Sequence, residues 1–211
     1  MIRLHSYWRS TAAYRVRIAL NLKGLDYQQV THDLRAGEQA SAAYAAINPQ
    51  KLIPTLETDG LVLTQSLAIM EWLDERHPEP PLLPSPANDR AIVRAMAQTI
   101  ASDIHPLNNL RVLNRLRADF GADDAAVSGW IAGWIASGFE ALETMIRRYG
   151  GEFAFGDAPT LADCCLVPQV YSATRFAVDL KAYPRLTSAA ECAASLDAFA
   201  AAHPSRQPDA D

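Results

Sequence analysis

Along the first part of the chain the spacing of apolar positions switches from two to about 3.6 and back several times. Residues 2–7 alternate apolar and polar and predict a strand. After the polar turn Trp8-Arg9-Ser10, the residues Ala12, Ala13, Val16, Ala19 and Leu20 recur at helical spacing, and Gly24 supplies a stop. Residues 27–32 alternate again as a second strand. Residues 33–46 end as an alanine-rich turn of helix, closed by Asn48-Pro49. Thr55-Leu56-Glu57-Thr58, the two-residue turn Asp59-Gly60 and Leu61-Val62-Leu63 predict a hairpin. Ser66 then caps a helix through Leu73 that ends near His77-Pro78. The order β-α-β-α-β-β-α predicts a small mixed sheet flanked by helices.

Five prolines in residues 78–86 mark a domain boundary. Beyond it the pattern is helical throughout. Helices are predicted over 89–118, 123–149 and 160–176, with two shorter ones in 184–203. His105-Pro106 is expected to bend the first of these, placing Asn108, Asn109 and Arg111 on the adjoining turn, where a cleft and a solvated face would look alike. Thr160-Leu161-Ala162-Asp163 is a helix-start signature with a structural role. The last residues, HPSRQPDAD, are expected to fray.

Composition adds exclusions. A chain of 211 residues, 49% hydrophobic and 20% charged, can bury a real core in one large or two small domains. A net charge of -5 argues against a nucleic-acid or anionic-membrane surface. The start MIRLHSYW holds no apolar run, and no stretch reaches the roughly 18 apolar residues of a membrane span, so a cytoplasmic location is expected. Cys164, Cys165 and Cys192 form no metal-ligand spacing and read as small buried residues; no metal is expected.

Two helix starts carry the candidate chemistry. The first turn of a helix leaves N–H groups unpaired at the positive end of its dipole, so Ser10 and Thr11 can help hold an anion such as a thiolate. Arg9, Arg15 and Arg17 add cationic character around the same turn. A serine ahead of a helix also serves simply as its cap, and position does not choose between the two. Ser66 offers a second such terminus. Between them, Pro54 forces Ile53 into an extended conformation. A cis peptide there would turn the Ile53 backbone out of the sheet, whereas a trans proline would open an edge strand.

Several motifs stand together in one order: Tyr7-Trp8-Arg9-Ser10-Thr11, then Arg15-Val16-Arg17-Ile18-Ala19-Leu20, Asn48-Pro49, Ile53-Pro54, Gln65-Ser66 and Thr160-Leu161-Ala162-Asp163. With the element order and the helical second half, the chain resembles the soluble glutathione transferases over essentially its whole length. Within them it is similar to the zeta class, which includes bacterial maleylacetoacetate and maleylpyruvate isomerases. The resemblance implies an α/β thioredoxin-like N-terminal domain (residues 1–80), a proline-rich linker (81–88) and an all-α C-terminal domain (89–211).

It also implies roles. Ser10, with Thr11 and Arg9 beside it, would hold and activate the sulfur of glutathione; the class often has a cysteine where this chain has Ala12, which leaves hydroxyls and the helix terminus as activating groups. Arg15 would belong to the same glutathione site. Ile53 would offer its backbone to the cysteinyl part, with Pro54 cis. Gln65 and Ser66 would hold the γ-glutamyl carboxylate, and Gln39 and Gln50 the glycyl end. His105, Asn109, Leu110 and Arg111 match the turn that lines the site in relatives, and Arg9, Arg111 and Arg175 suit the carboxylates of an unsaturated diacid. The implied activity is glutathione-dependent isomerisation of maleylacetoacetate to fumarylacetoacetate by reversible addition of the thiolate to the double bond, in aromatic amino-acid breakdown. The other readings are isomerisation of maleylpyruvate to fumarylpyruvate, a general transferase, and a non-catalytic glutathione-binding module. A homodimer is expected from the same resemblance.

Overall fold

The computed structural model describes residues 1–211. The chain forms two compact units, Met1–Leu82 with Ser195–Asp211, and Leu83–Ala194. In the first, β1 (Ile2–Ser6), α1 (Thr11–Leu22), β2 (Tyr27–Thr31), α2 (Ala42–Ile47), β3 (Thr55–Thr58), β4 (Leu61–Thr64) and α3 (Ser66–Arg76) follow in the predicted order, with one 3₁₀ turn at Glu38–Ala40 ahead of α2. The sheet runs β2-β1-β3-β4, with β1 parallel to β2 and antiparallel to β3. The β3–β4 hairpin turns at Asp59 (φ 47°) and Gly60 (φ 80°), the two left-handed positions that a primed turn needs.

Leu4 and Leu56, opposite each other in the β1–β3 register, are fully buried. Helix α1 lies deeper than one apolar stripe requires, since every residue from Thr11 to Leu20 is buried. It packs against α3 and against α9 (Asp197–Ala202), one of the last helices of the chain.

The expectation of a frayed tail fails here. Asn21 Nδ2 donates to the Ala198 carbonyl at 2.9 Å, Gln29 Nε2 to Gln207 Oε1 at 2.8 Å, and Arg35 pairs with Asp211. These anchors group residues 195–211 with the sheet, whereas the sequence reading assigned 89–211 to the helical domain.

The second unit holds α4 (Ala87–Gln98), α5 (Leu110–Phe120), α6 (Asp124–Tyr149), α7 (Leu161–Arg175) and α8 (Pro184–Ala194). A single bent helix over 89–118 was expected, and the structure breaks it instead. The α-helix widens into a π-helical turn at Thr99–Ile104, tightens into a 3₁₀ turn at His105–Asn108 around Pro106, and restarts at α5 with Asn109 as its cap. The wide turn absorbs the donor that proline lacks and the ring's clash with the preceding turn.

Asp163 closes the start of α7. Fully buried, it accepts from the backbone N–H groups of Ala154 and Thr160, each at 2.8 Å, and from the Thr160 hydroxyl at 3.0 Å, while Thr160 caps the helix in return. Cys164 and Cys165 are buried on the same helix. No helix is long and apolar enough to cross a membrane.

Candidate functional site

Ser10 sits at the N-cap of α1, where its Oγ accepts from the Ala13 N–H at 3.2 Å. The cap and the anion-holding role are compatible. An oxygen that accepts from the helix has its own O–H left to donate outward, and the accepted bond polarises that O–H further. The turn before it is tight, with the Ser10 N–H donating to the Tyr7 carbonyl at 2.9 Å. Thr11 is buried as the first residue of the helix, and Arg9 lays its guanidinium over the Trp8 ring at 4.6 Å.

Arg15 and Arg17, expected to add cationic character around this turn, are buried, at 1% and 0% exposed. Arg15 Nη1 donates to Ser66 Oγ at 3.2 Å, so its charge stands behind the start of α3. Arg17 turns the other way, onto the carbonyls of Tyr7 and Trp8.

The second terminus is built around strain. Gln65, immediately before α3, has φ 70° and ψ 116°, a conformation rare for a residue with a side chain. Its Nε2 donates to Gln50 Oε1 at 2.9 Å, which brings together two residues fifteen positions apart. Ser66 is buried, and the first N–H groups of α3 together with Arg15 give this corner a positive potential. A carboxylate is the ligand that such a corner takes.

Between the two termini lies Ile53-Pro54, whose peptide is cis. The β1–β3 ladder ends at His5–Thr55, so Ile53 lies beyond it, and neither its N–H nor its C=O is used in the backbone network. Those groups fit an extended peptide. A side-chain bracket holds the residues on either side: Tyr44 Oη donates to the Leu52 carbonyl at 2.7 Å and meets Thr55 Oγ1 at 2.7 Å, while Asn48 Nδ2 reaches the same carbonyl at 2.8 Å and the same hydroxyl at 3.1 Å. Gln39 Oε1 is sealed from solvent with no partner, a polar atom that a ligand amine or amide would satisfy.

Ser10, Arg15, Gln50, Ile53, Gln65 and Ser66 thus all belong to the sheet-containing unit, as do Gln39 and Pro54. His105, Asn109, Leu110, Arg111 and Arg175 belong to the helical unit. There His105 opens the 3₁₀ turn, Asn109 Oδ1 accepts from the Arg111 N–H at 3.1 Å, Leu110 and Arg111 are exposed, and Arg175 places its guanidinium over Phe176 at 4.6 Å. Sequence reasoning missed the Tyr44–Asn48 bracket, for which Asn48-Pro49 was the available signal, and the strain at Gln65, for which there was none.

A cluster of titratable groups stands next to the bracket. His5 Nε2 donates to Glu57 Oε1 at 2.6 Å, which leaves His5 Nδ1 to accept from His32 Nε2 at 2.8 Å, the tautomers being assigned from this network. The His32 ring lies tilted against Tyr44, with centroids 4.5 Å apart. Burial and the neighbouring His5 hold the His32 pKa below its ordinary value, against a weaker opposite pull from Glu38.

Comparison with known proteins agrees with this geometry. Residues 4–81 match the model of the glutathione S-transferase N-terminal domain, and residues 124–192 that of the C-terminal domain. The maleylacetoacetate isomerase of Pseudomonas aeruginosa is 49% identical over 211 residues, covering 99% of this chain and 98% of the relative. Among solved structures, the holo form of a bacterial zeta-class maleylpyruvate isomerase is 48% identical with a TM-score of 0.97, covering 99% of this chain and 100% of that one. A maleylacetoacetate isomerase from Anaeromyxobacter dehalogenans, with dicarboxyethyl glutathione and citrate bound in its active site, is 50% identical with a TM-score of 0.90, covering 100% of this chain and 98% of that one.

Proposed function

This chain belongs to the glutathione S-transferase family, in its zeta class, and from that premise we propose that it is a glutathione-dependent cis–trans isomerase whose substrate is maleylacetoacetate. The observation that carries the reading is the full-length likeness to isomerases in a chain that keeps two helix N-termini, one capped by Ser10 and one backed by Arg15, together with an unpaired backbone at Ile53 just ahead of β3.

Glutathione fits the residues present. Ile53 takes its cysteinyl backbone, Gln65 and Ser66 with Arg15 behind them take the γ-glutamyl carboxylate, and Gln39 and Gln50 take the glycyl end. When bound, glutathione supplies a thiolate that adds reversibly to the double bond, so that the locked bond becomes a rotatable one. The chain's own residues do the rest. Ser10 donates its hydroxyl proton toward the sulfur and, with Thr11 and the α1 dipole, favours the anion over the thiol. Arg9, Arg111 and Arg175 hold the two carboxylate ends of the diacid, because a guanidinium fork matches a carboxylate in two bonds. With Ala12 where the class often has a cysteine, that position supplies no thiol of its own.

Replacing Ser10 with alanine is expected to lower turnover more than glutathione affinity, since the hydroxyl acts on sulfur and the peptide is held elsewhere; equal losses in both would remove this role. Arg111→Ala or Arg175→Ala is expected to raise the KM for the diacid, and an unchanged KM would remove them from the substrate site.

A second reading, isomerisation of maleylpyruvate, stands beside it because likeness does not separate the two: maleylpyruvate isomerase structures superpose at TM-scores of 0.97 and 0.86, maleylacetoacetate isomerases at 0.95 and 0.90, and the identities overlap. Relative kcat/KM for the two diacids chooses between the readings. We read the chain further as a cytoplasmic homodimer; exposed Leu61 and Val62 on the outer strand β4 suit a subunit contact, and light scattering at twice 23.0 kDa tests it.

A further inference from the structure

The turn that delivers Ser10 is held from behind by the end of the chain. Trp8, two residues before Ser10, has both its backbone groups engaged: its N–H donates to Asp209 Oδ2 at 3.0 Å, and its C=O accepts from Arg17 Nη2 at 3.1 Å. Arg17 is fully buried and spends the rest of its fork on the same region. Nη1 donates to Ser6 Oγ at 3.0 Å and the Tyr7 carbonyl at 3.4 Å, and Nε donates to the Ala202 carbonyl at the end of α9 at 3.1 Å. One guanidinium therefore ties the end of β1, the turn and the carboxy-terminal segment together.

That segment is itself pinned on either side of these contacts. Asn21 and Gln29 hold Ala198 and Gln207, Gln207 Nε2 donates to the carbonyls of Ala201 and His203 at 3.0 and 2.8 Å, and Arg35 holds Asp211 beyond Asp209. Asp209 keeps one carboxylate oxygen, Oδ1, sealed from solvent with no partner, which costs stability. What the carboxylate gives in exchange is a charge-assisted bond to the backbone of the turn, stronger than a neutral one. A side chain that served only to dock the tail would not need to sit on Trp8 N–H.

We propose that the carboxy-terminal segment braces the catalytic turn, and that Arg17 and Asp209 are positioning residues for Ser10. The proposal rests on the reading of Ser10 as the group that acts on the glutathione sulfur. Ile53, Gln65 and Ser66, which are to hold the peptide of glutathione, stand on other segments. The brace therefore acts on the sulfur and not on the affinity.

The test measures thiolate absorbance of enzyme-bound glutathione against pH, the glutathione Kd by calorimetry, and kcat for maleylacetoacetate and maleylpyruvate, in the wild type, Asp209→Ala, Asp209→Asn, Arg17→Lys and Ser10→Ala. In Asp209→Ala the pKa of the bound thiol is expected to rise by about one unit and kcat to fall roughly tenfold, with the Kd held within about twofold when measured at a pH below that pKa, where the thiol binds protonated. Asp209→Asn, which still offers an oxygen to Trp8 N–H, recovers most of the loss. Arg17→Lys, which keeps the charge and loses the fork, behaves like Asp209→Ala. An Asp209→Ala enzyme with unchanged thiol pKa and kcat overturns the brace. So does one whose glutathione binding weakens as much as its turnover. A wild type in which Ser10→Ala leaves the bound thiol unchanged overturns the role of Ser10, and the brace with it.

Discussion

Replacing Tyr44 with phenylalanine tests how the backbone of Ile53 is kept in place. The four hydrogen bonds around it form a closed set: Tyr44 O–H donates to the Leu52 carbonyl, the Thr55 O–H donates to Tyr44 Oη, and Asn48 Nδ2 donates to both the Leu52 carbonyl and Thr55 Oγ1. Deleting the Tyr44 hydroxyl removes two bonds; Asn48 still serves the Leu52 carbonyl and Thr55 Oγ1, but the buried Thr55 O–H is left without its acceptor, and the expected loss is about 1–3 kcal/mol. Asn48→Ala removes two bonds and also the Oδ1 that accepts from the Gln50 N–H at 3.0 Å, for an expected loss of about 2–4 kcal/mol. In the double variant the Leu52 carbonyl loses both partners. The combined loss is then expected to exceed the sum by at least about 1 kcal/mol. Urea unfolding gives the stabilities, and calorimetry gives the glutathione Kd, which should weaken by about three- to tenfold in Tyr44→Phe and further in the double variant. Additive stabilities, or an unchanged Kd in the double variant, would refute the bracket as the device that sets Ile53.

Gln65→Gly should raise unfolding stability by about 1 kcal/mol by relieving the backbone at φ 70°, while weakening glutathione binding through loss of the Gln50 contact; tighter binding would contradict the strain reading. Asp163→Ala leaves two buried N–H groups without acceptors and is expected to cost about 3–5 kcal/mol by urea unfolding, a loss under about 1 kcal/mol being the contrary result. Burial raises the Asp163 carboxyl to about 6, outweighing its three hydrogen bonds, so the folded state takes up a proton before the unfolded one does. Its contribution to stability is therefore greatest below about 3.8 and is lost as pH rises through about 6; the stability difference from Asp163→Asn, followed over that window, should shift in this direction. His32 has the opposite sign. With its pKa held below 6.5, the unfolded state binds the proton first, so stability falls as pH drops through 6.5, and His32→Gln should flatten that part of the profile.

The fold was legible where one local rule acts alone. The change of period between β1, α1 and β2 follows from which face is buried, and Asp59-Gly60 supplies the left-handed turn that the hairpin needs. Ser10 was legible as the cap of α1, which it is; Ser66 was expected to cap α3 in the same way, but it is the first residue of that helix behind Gln65, and its Oγ accepts from Arg15 instead of from the helix backbone. The rest depends on partners distant in sequence. Arg15 and Arg17 were legible as charges near the turn, but not their burial or their partners, Ser66 for one and the carbonyls of the turn for the other. The break at Thr99–Asn108 shows in sequence only as Pro106, which does not distinguish a bend from a π-helical turn. The tail looks polar and terminal, yet its anchors are Trp8, Arg17, Asn21, Gln29 and Arg35, spread over the first 35 residues. Gln65 carries no local sign of its strained backbone, because glutamine is an ordinary residue and the φ is imposed by the corner it occupies.

The most direct test of the central claim is stopped-flow absorbance of maleylacetoacetate mixed with the enzyme, with and without glutathione. Conversion to the trans isomer that requires glutathione and leaves its total concentration unchanged is the predicted result. Binding of glutathione without any acceleration of isomerisation, for this diacid or for maleylpyruvate, would contradict it.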